Sequence, residues 1–115
     1  MINIVKGDRA ITYTEEKSFT PQQAAELFLS VRWVVGKYPD RLYKALMNSS
    51  RVITAWDGDR LVGIIRVMDD SELVCFINYV LVHPEYHGQG IAGHLLEMVK
   101  IGRAHVWTPV TWSYL

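Results

Sequence analysis

A strand, a glycine-rich turn and a helix follow one another without interruption between Val80 and Lys100. The apolar run 80–82 (VLV) ends a strand, and 83–86 (HPEY) turns the chain. The loop 87–93 (HGQGIAG) then leads into a helix predicted over 94–99. Glycines let a backbone approach a ligand closely, and the first N–H groups of a helix have no intrahelical partner. Together with the helix dipole, this order of elements favours the binding of a phosphate or pyrophosphate.

The loop differs from the two commonest nucleotide motifs, because no Lys-Ser or Lys-Thr follows the glycines and no GxGxxG follows an N-terminal strand. It resembles the acetyl-coenzyme A signature of the GNAT N-acetyltransferases, [QR]-x-x-G-x-[GA] after V-x-P-x-[YF]. The strand exit 82–86 (VHPEY) matches, and Gly90 and Ala92 fill the two small-residue positions. Gly88 is the usual extra glycine, whereas His87 stands where the family has Gln or Arg. The alternative is a glycine-rich turn that binds nothing, but three glycines beside a helix start are costly unless the backbone is needed there.

Length and charge restrict the classes of protein to be considered. A chain of 115 residues, half of them hydrophobic, predicts one domain with a packed core. Twelve basic residues balance twelve acidic ones, which argues against nucleic acid as a partner. The sequence contains no apolar segment of membrane length, so no membrane partner is expected. The single cysteine, Cys75, excludes an internal disulfide and is expected to be a core residue rather than a nucleophile; a cytoplasmic location fits best.

The first half of the chain predicts a strand or hairpin followed by two helices. Short β-type stretches at 2–5 and 10–14 flank a turn. Thr20 and Pro21 have the character of an N-cap and first helical residue, and the apolar periodicity that follows predicts a helix ending near Gly36. A second, shorter helix follows Pro39 and ends at 48–50 (NSS).

The period then changes to that of strands. We expect strands at 52–56, 61–68 and 73–82, the first two joined by a hairpin at Asp57-Gly58. The order β-α-α-β-β-β-α matches the first two-thirds of the GNAT fold. The resemblance therefore implies an α+β (α/β) fold with a GNAT-like mixed sheet, lacking the family's C-terminal β-α-β.

The C-terminal segment has neither a helical nor a strand period. Residues 100–107 back-translate in frame as AAG ATC GGA AGA GCA CAC GTC TGA, followed by ACT CCA GTC AC, which resembles a common sequencing-library adapter. We expect residues 1–99 to be a partial GNAT acetyltransferase domain and 100–115 to be a non-native tail. The alternative is a genuine aromatic tail that packs on the sheet.

The resemblance implies an N-acetyltransferase that moves an acetyl group from acetyl-CoA to a primary amine of a small molecule or peptide, without a metal. Pyrophosphate would meet backbone N–H groups of the loop, and pantetheine would pair with the strand end like an added strand. A backbone N–H near Val82 would polarise the thioester carbonyl. The implied cofactor-binding residues are Leu81, Val82, His87, Gly88, Gln89, Gly90, Ile91, Ala92 and Gly93.

A base must take the proton of the amine, directly or through water. The candidates on the central strands are Glu72, Asn78, Tyr79 and His83, of which Asn78 is chosen as the catalytic candidate. Strand alternation is expected to place Asn78 and Val80 on one face and Tyr79 and Leu81 on the other. A satisfied core amide is the alternative for Asn78, and a loop-exit residue the alternative for His83.

Trp33 and Tyr38, near the end of the first helix, are the candidates for contact with the amine; packing in the core is the alternative. The implied partners are acetyl-CoA and the amine, and a homodimer is also considered. A non-catalytic acyl-CoA-binding domain, or an inactive fragment, is the second function that the sequence leaves open.

Overall fold

The computed structural model describes residues 2–6, 9–69, 75–102 and 110–112. It contains six strands and three α-helices in the order β1-β2-α1-α2-β3-β4-β5-α3-β6. The strands are β1 (Ile2–Lys6), β2 (Arg9–Thr14), β3 (Arg51–Asp57), β4 (Arg60–Asp69), β5 (Cys75–Val82) and β6 (Val110–Trp112). The α-helices are α1 (Pro21–Ser30), α2 (Pro39–Met47) and α3 (Ile91–Gly102), and short 3₁₀ turns lie at Val34–Lys37 and Pro84–Tyr86.

The six strands form one sheet in the order β1-β2-β3-β4-β5-β6. Strands β1 to β5 pair antiparallel with their neighbours, and β6 pairs in parallel with β5. The first two strands form the predicted hairpin. Asp57 and Arg60 are paired across the β3–β4 turn, where Gly58 has a φ of +59°. The predicted α+β order β-α-α-β-β-β-α is confirmed.

Helix α1 begins as the sequence predicts but ends earlier. The Thr20 side chain accepts from the Gln23 N–H, the Gln23 side chain accepts from the Thr20 N–H, and Pro21 is the first helical residue. The helix ends at Ser30 rather than near Gly36. The Trp33 N–H donates back to the Phe28 carbonyl (3.0 Å) and the Trp33 ring stacks on Phe28, so the chain turns away before Gly36.

The helices cover both faces of the sheet. Helices α1 and α2 bury one face with a cluster that includes Phe28, Leu46 and Tyr79, and α3 buries the other with a cluster that includes Ile65, Leu95 and Val99. None of the helices in the described part of the chain combines the length and the hydrophobicity that a membrane span requires.

Two β-bulges change which face a strand presents. Ala55 pairs with Gly63 but Trp56 with Leu61, and Arg66 pairs with Tyr79 but Val67 with Ile77. Val62 and Asn78 are therefore the extra residues. Because Asn78 is extra, Ile77 and Val80 both pack in the cluster beneath α3. The prediction that Asn78 and Val80 share a face is wrong. The Asn78 amide oxygen accepts a hydrogen bond from Arg66. Arg66 is paired across the strands with Tyr79, which packs in the α1–α2 cluster rather than beneath α3.

The chain beyond β5 differs from the sequence prediction in three respects. Helix α3 begins at Ile91 rather than His94, and it continues past Val99 to Gly102. A three-residue strand, β6, follows, although no strand was expected there; Val, Thr and Trp all favour strands. The tail residues 103–109 and 113–115 and the candidate base Glu72 lie outside the described residues, as does the side chain of Cys75. That the tail is non-native stays a prediction.

Gly63 permits the close approach of α3 to the sheet. A Cβ at Gly63 would lie 3.0 Å from Ile91 Cγ2 and 3.2 Å from Ala55 Cβ, whereas a Cβ at Gly93 would meet nothing within 4 Å. We expect Gly63→Ala to lower the free energy of unfolding by about 1–3 kcal/mol through overpacking. Gly93→Ala, the matched control, should raise it by up to about 1 kcal/mol because alanine favours helix. Urea denaturation of both variants tests this; equal stability of the two would contradict it.

Candidate functional site

The turn after β5 is fixed to the rest of the sheet by several hydrogen bonds. The His83 N–H donates to the carbonyl of the bulged Val62 (2.8 Å), and the hydroxyl of the buried Tyr86 donates to an Asp57 carboxylate oxygen (2.5 Å). Tyr86 thereby ties the 3₁₀ turn to the end of β3. The loop that follows therefore starts from a fixed position.

The His83 side chain is buried and acts as a cap. Its Nδ1 accepts from the Glu85 N–H (3.1 Å), and its Nε2 lies 2.9 Å from the Arg60 Nη2. Burial lowers the pKa of His83 below its ordinary value of 6.5, and the Arg60 guanidinium lowers it further. The neutral ring already carries one proton, and both neighbouring groups are donors, so a second ring proton would find no acceptor there. His83 is therefore a loop-exit residue, the alternative that the sequence left open.

The glycine-rich loop takes the conformation that its glycines allow. Gly88 and Gly90 have φ of +79° and +78°, in the left-handed region that favours glycine. The His94 N–H donates to the Gly90 carbonyl (3.0 Å), which makes Gly90 the residue before the first helical turn. Ile91, Ala92 and Gly93, predicted as loop, are that first turn, and its N–H groups have no intrahelical partner. The site suits an anion, for the dipole adds partial positive charge.

A cavity of about 410 Å³ lies against this loop. Its lining combines the end of β5 with the loop and the first turns of α3: Val80, Val82, Tyr86, His87, Gly88, Gly90, Ile91, Ala92, Gly93 and Leu96. We call it the loop cavity. Seven of the nine residues predicted to hold the cofactor line it; Leu81 and Gln89 do not. The Gln89 Oε1 atom is buried without a hydrogen-bond partner among the described residues.

A second cavity, of about 360 Å³, lies at the end of helix α1. We call it the helix cavity; it is lined by Ser30, Val31, Arg32, Val80, Leu81, Val82, Pro84 and His87. Three residues, Val80, Val82 and His87, line both cavities. The end of β5 is thus the place where the two cavities meet.

His87 is the ionisable residue that the two cavities share. Its exposed ring places Nε2 2.8 Å from the Val82 carbonyl oxygen. A carbonyl can only accept, so Nε2 carries the proton and Nδ1 is left with a lone pair in the neutral ring. A proton acceptor at this position can serve a ligand in either cavity.

The structure does not bring Asn78, Tyr79, Trp33 or Tyr38 to the lining of either cavity. The Asn78 amide oxygen accepts from Arg66 Nη1 (2.8 Å), and Arg66 Nε donates to the Ser49 hydroxyl (2.7 Å). Burial raises the pKa of Tyr79, which disfavours its ionisation. Trp33 packs against Phe28 and Tyr79, which also contact each other, whereas Tyr38 is 57% exposed on the surface.

Ser30, Val31 and Arg32, which line the helix cavity, belong to the segment 30–39 that the family resemblance associates with the choice of substrate. The candidates chosen from that segment were Trp33 and Tyr38, which do not line the cavity. The expected helix end near Gly36 placed Ser30, Val31 and Arg32 inside a helix, so none of the three was chosen.

Comparison with known proteins identifies relatives over most of the chain. The model of the acetyltransferase (GNAT) family matches residues 12–108. A GNAT family acetyltransferase from Streptococcus pneumoniae TIGR4 is similar in structure, with a TM-score of 0.74 and 26% identity, over 90% of this chain and 74% of that one. No curated protein matches.

Two further solved structures share the fold. A Staphylococcus aureus protein of unknown function, described as a probable acetyltransferase, gives a TM-score of 0.72 at 24% identity over 91% of this chain and 78% of that one. An aminoglycoside 6'-N-acetyltransferase complexed with coenzyme A gives 0.69 at 17% identity, over 84% and 57%.

The lowered pKa of His83 predicts a pH-dependent stability. Between the folded pKa and 6.5 the unfolded chain binds more protons, so this contribution is present above about pH 6.5 and is lost as the pH falls. We expect His83→Asn, which keeps a capping oxygen for the Glu85 N–H, to lose less stability on acidification than the parent chain. Urea denaturation over a pH series tests this. Parallel losses in the two chains would show that His83 does not contribute.

Proposed function

The chain belongs to the GNAT acetyltransferase family, and we propose that it transfers an acetyl group from acetyl-CoA to a primary amine. The observation that carries the proposal is the meeting of two cavities at the end of β5. One cavity has the glycine loop and a helix N-terminus, which suit a pyrophosphate. The other has no such cradle and is open to a second reactant. A transfer reaction needs two reactants side by side, and this arrangement provides for both.

We place acetyl-CoA in the loop cavity. Its pyrophosphate would accept hydrogen bonds from the backbone N–H groups of Gly88 to Gly93, with Gln89 contributing through its backbone. Its pantetheine arm would lie along Leu81 and Val82, with the acetyl group near Val82. The coenzyme A bound to a structurally similar acetyltransferase supports this choice of ligand.

We place the amine in the helix cavity. Its nitrogen attacks the thioester carbonyl carbon, the carbon–sulfur bond breaks, and the sulfur leaves as coenzyme A thiolate, which takes up a proton. A backbone N–H near Val82 would stabilise the oxygen that becomes negative as the bond forms. The ammonium must lose its proton before attack, so a proton acceptor is required near Val82.

We assign proton acceptance to His87, directly or through one water. The support is its lining of both cavities and the free lone pair at Nδ1 that follows from the bond between Nε2 and the Val82 carbonyl. Asn78 lies four residues from Val82, roughly 13 Å along an extended strand, and its amide oxygen is bound by Arg66. A role for Asn78, Trp33 or Tyr38 stays a prediction.

The cofactor assignment predicts a specific effect of Gly90→Ala. At φ +78° a Cβ costs about 1–2 kcal/mol, and the backbone shift that relieves it moves the first-turn N–H groups. We expect acetyl-CoA binding to weaken by about tenfold or more, measured by calorimetric titration. Gly58→Ala, with a similar strain in the β3–β4 turn, is the matched control and should keep the parent affinity.

Thiol release from acetyl-CoA with a panel of amines then tests turnover. Release that depends on an amine supports the acetyltransferase. Binding without release by any amine would favour the non-catalytic acyl-CoA-binding domain, and absence of binding would overturn both.

The assignment of His87 predicts that His87→Gln lowers kcat by about 100-fold or more while acetyl-CoA still binds. Glutamine is one of the residues that the family signature has at this position, so the substitution removes a base without removing the loop's function. An unchanged kcat would show that the proton leaves by another route.

A further inference from the structure

The end of helix α1 contains a residue in an unfavourable backbone conformation. The Arg32 N–H donates to the Leu29 carbonyl (2.9 Å), and the Trp33 N–H donates to the Phe28 carbonyl (3.0 Å). With Val31 as C-cap, these are the two hydrogen bonds of a Schellman motif, and the stacked Phe28 and Trp33 rings supply its hydrophobic contact. The motif requires its residue after the cap, Arg32, to be left-handed, and Arg32 has a φ of +60°.

Glycine is the usual residue at this position, because a side chain crowds the backbone in the left-handed conformation. Arg32 is the only residue other than glycine with a positive φ in the part of the chain that the structure describes. A strained backbone that the fold could relieve with glycine is a reason to look for a function of the side chain.

The surroundings of Arg32 indicate what that function is. Arg32 lines the helix cavity but not the loop cavity, and none of the residues lining the helix cavity is acidic. No carboxylate among the described residues pairs with its guanidinium. Glu26, six residues before Arg32, and Glu85, next to the lining residue Pro84, are both bound by Arg60, at 3.2 and 3.0 Å. Within the described residues, the helix cavity therefore has in its lining one arginine whose guanidinium has no carboxylate partner.

We infer that the acceptor amine also carries a carboxylate, and that Arg32 binds that carboxylate and determines specificity. The inference rests on the proposed function, for it names the class of amine that enters the helix cavity. An arginine can bind a carboxylate through two parallel hydrogen bonds, which fixes orientation as well as position. With the carboxylate at Arg32, the amine end of the acceptor points towards Val82 and His87. A diamine would instead place a second cation beside Arg32.

Matched amines test the inference in the parent chain. β-Alanine is compared with propylamine and with the corresponding diamine, and phenylalanine with phenethylamine, at saturating acetyl-CoA. We expect the carboxylate-bearing member of at least one pair to have the higher kcat/KM, by about tenfold, and the diamine to be the poorest acceptor. Equal or better turnover of the neutral amines and the diamine would overturn the inference and leave the proposed function intact. No release with any amine would count against the proposed function instead.

Two variants then separate charge from structure. Arg32→Gly relieves the strained φ, so the variant should fold at least as stably as the parent, as measured by its Tm. We expect it to raise the KM for the carboxylate-bearing amine about tenfold and to leave kcat, the KM for acetyl-CoA and the KM for the neutral amine unchanged. Arg32→Lys keeps the charge but not the paired donors, so its KM for the carboxylate-bearing amine should lie between those of the parent and of Arg32→Gly. An equal change in every kinetic constant would mean that Arg32 is only structural.

Discussion

The contact between helix α3 and the sheet at Gly63 determines the position of the candidate site. Because Gly63 has no Cβ, Ile91 and Leu95 of α3 pack directly on strand β4. Ile91 is also the first residue of α3, so this contact fixes the helix N-terminus beside the end of β5. The loop between them spans few residues and passes through left-handed conformations at Gly88 and Gly90. The direction of the free N–H groups thus follows from core packing, and the anion site needs no side chain of its own.

The two bulges determine which side chains at the end of β5 face each layer of helices. The extra residue Asn78 returns Val80 and Val82 to the face covered by α3, while Leu81 packs in the α1–α2 cluster. The other extra residue, Val62, accepts a hydrogen bond from His83 through its carbonyl, so it holds the chain where β5 ends. An unbulged strand would keep a strict alternation and would place this end differently. The bulges therefore connect sheet geometry to the meeting of the two cavities.

The sequence was sufficient for the order of elements and for the glycine loop, because both depend on local patterns. Apolar periodicity, the Thr20–Pro21 start and the Asp57-Gly58 turn are each encoded within a few residues. The end of α1 was misplaced because Arg32 occupies a position where a glycine would have signalled the helix end. The Asn78 bulge was missed because it exists only in the pairing with β4. The helix cavity was missed for a related reason: its lining comes from α1, β5 and the turn after β5, which meet only in the folded chain.

The limited extent of β6 has a thermodynamic consequence. Strand β6 pairs with Cys75, Phe76 and Ile77 only, so within the described residues the rest of β5 has a strand neighbour on one side. A ligand whose amides pair with that edge would complete the sheet in the folded chain and would have nothing equivalent to bind in the unfolded chain. The free energy of unfolding then rises with ligand concentration, by about 2.7 kcal/mol at a hundred times the Kd. For such a protein, the gain in unfolding free energy on adding ligand and the affinity for the ligand both report pairing along the same strand edge.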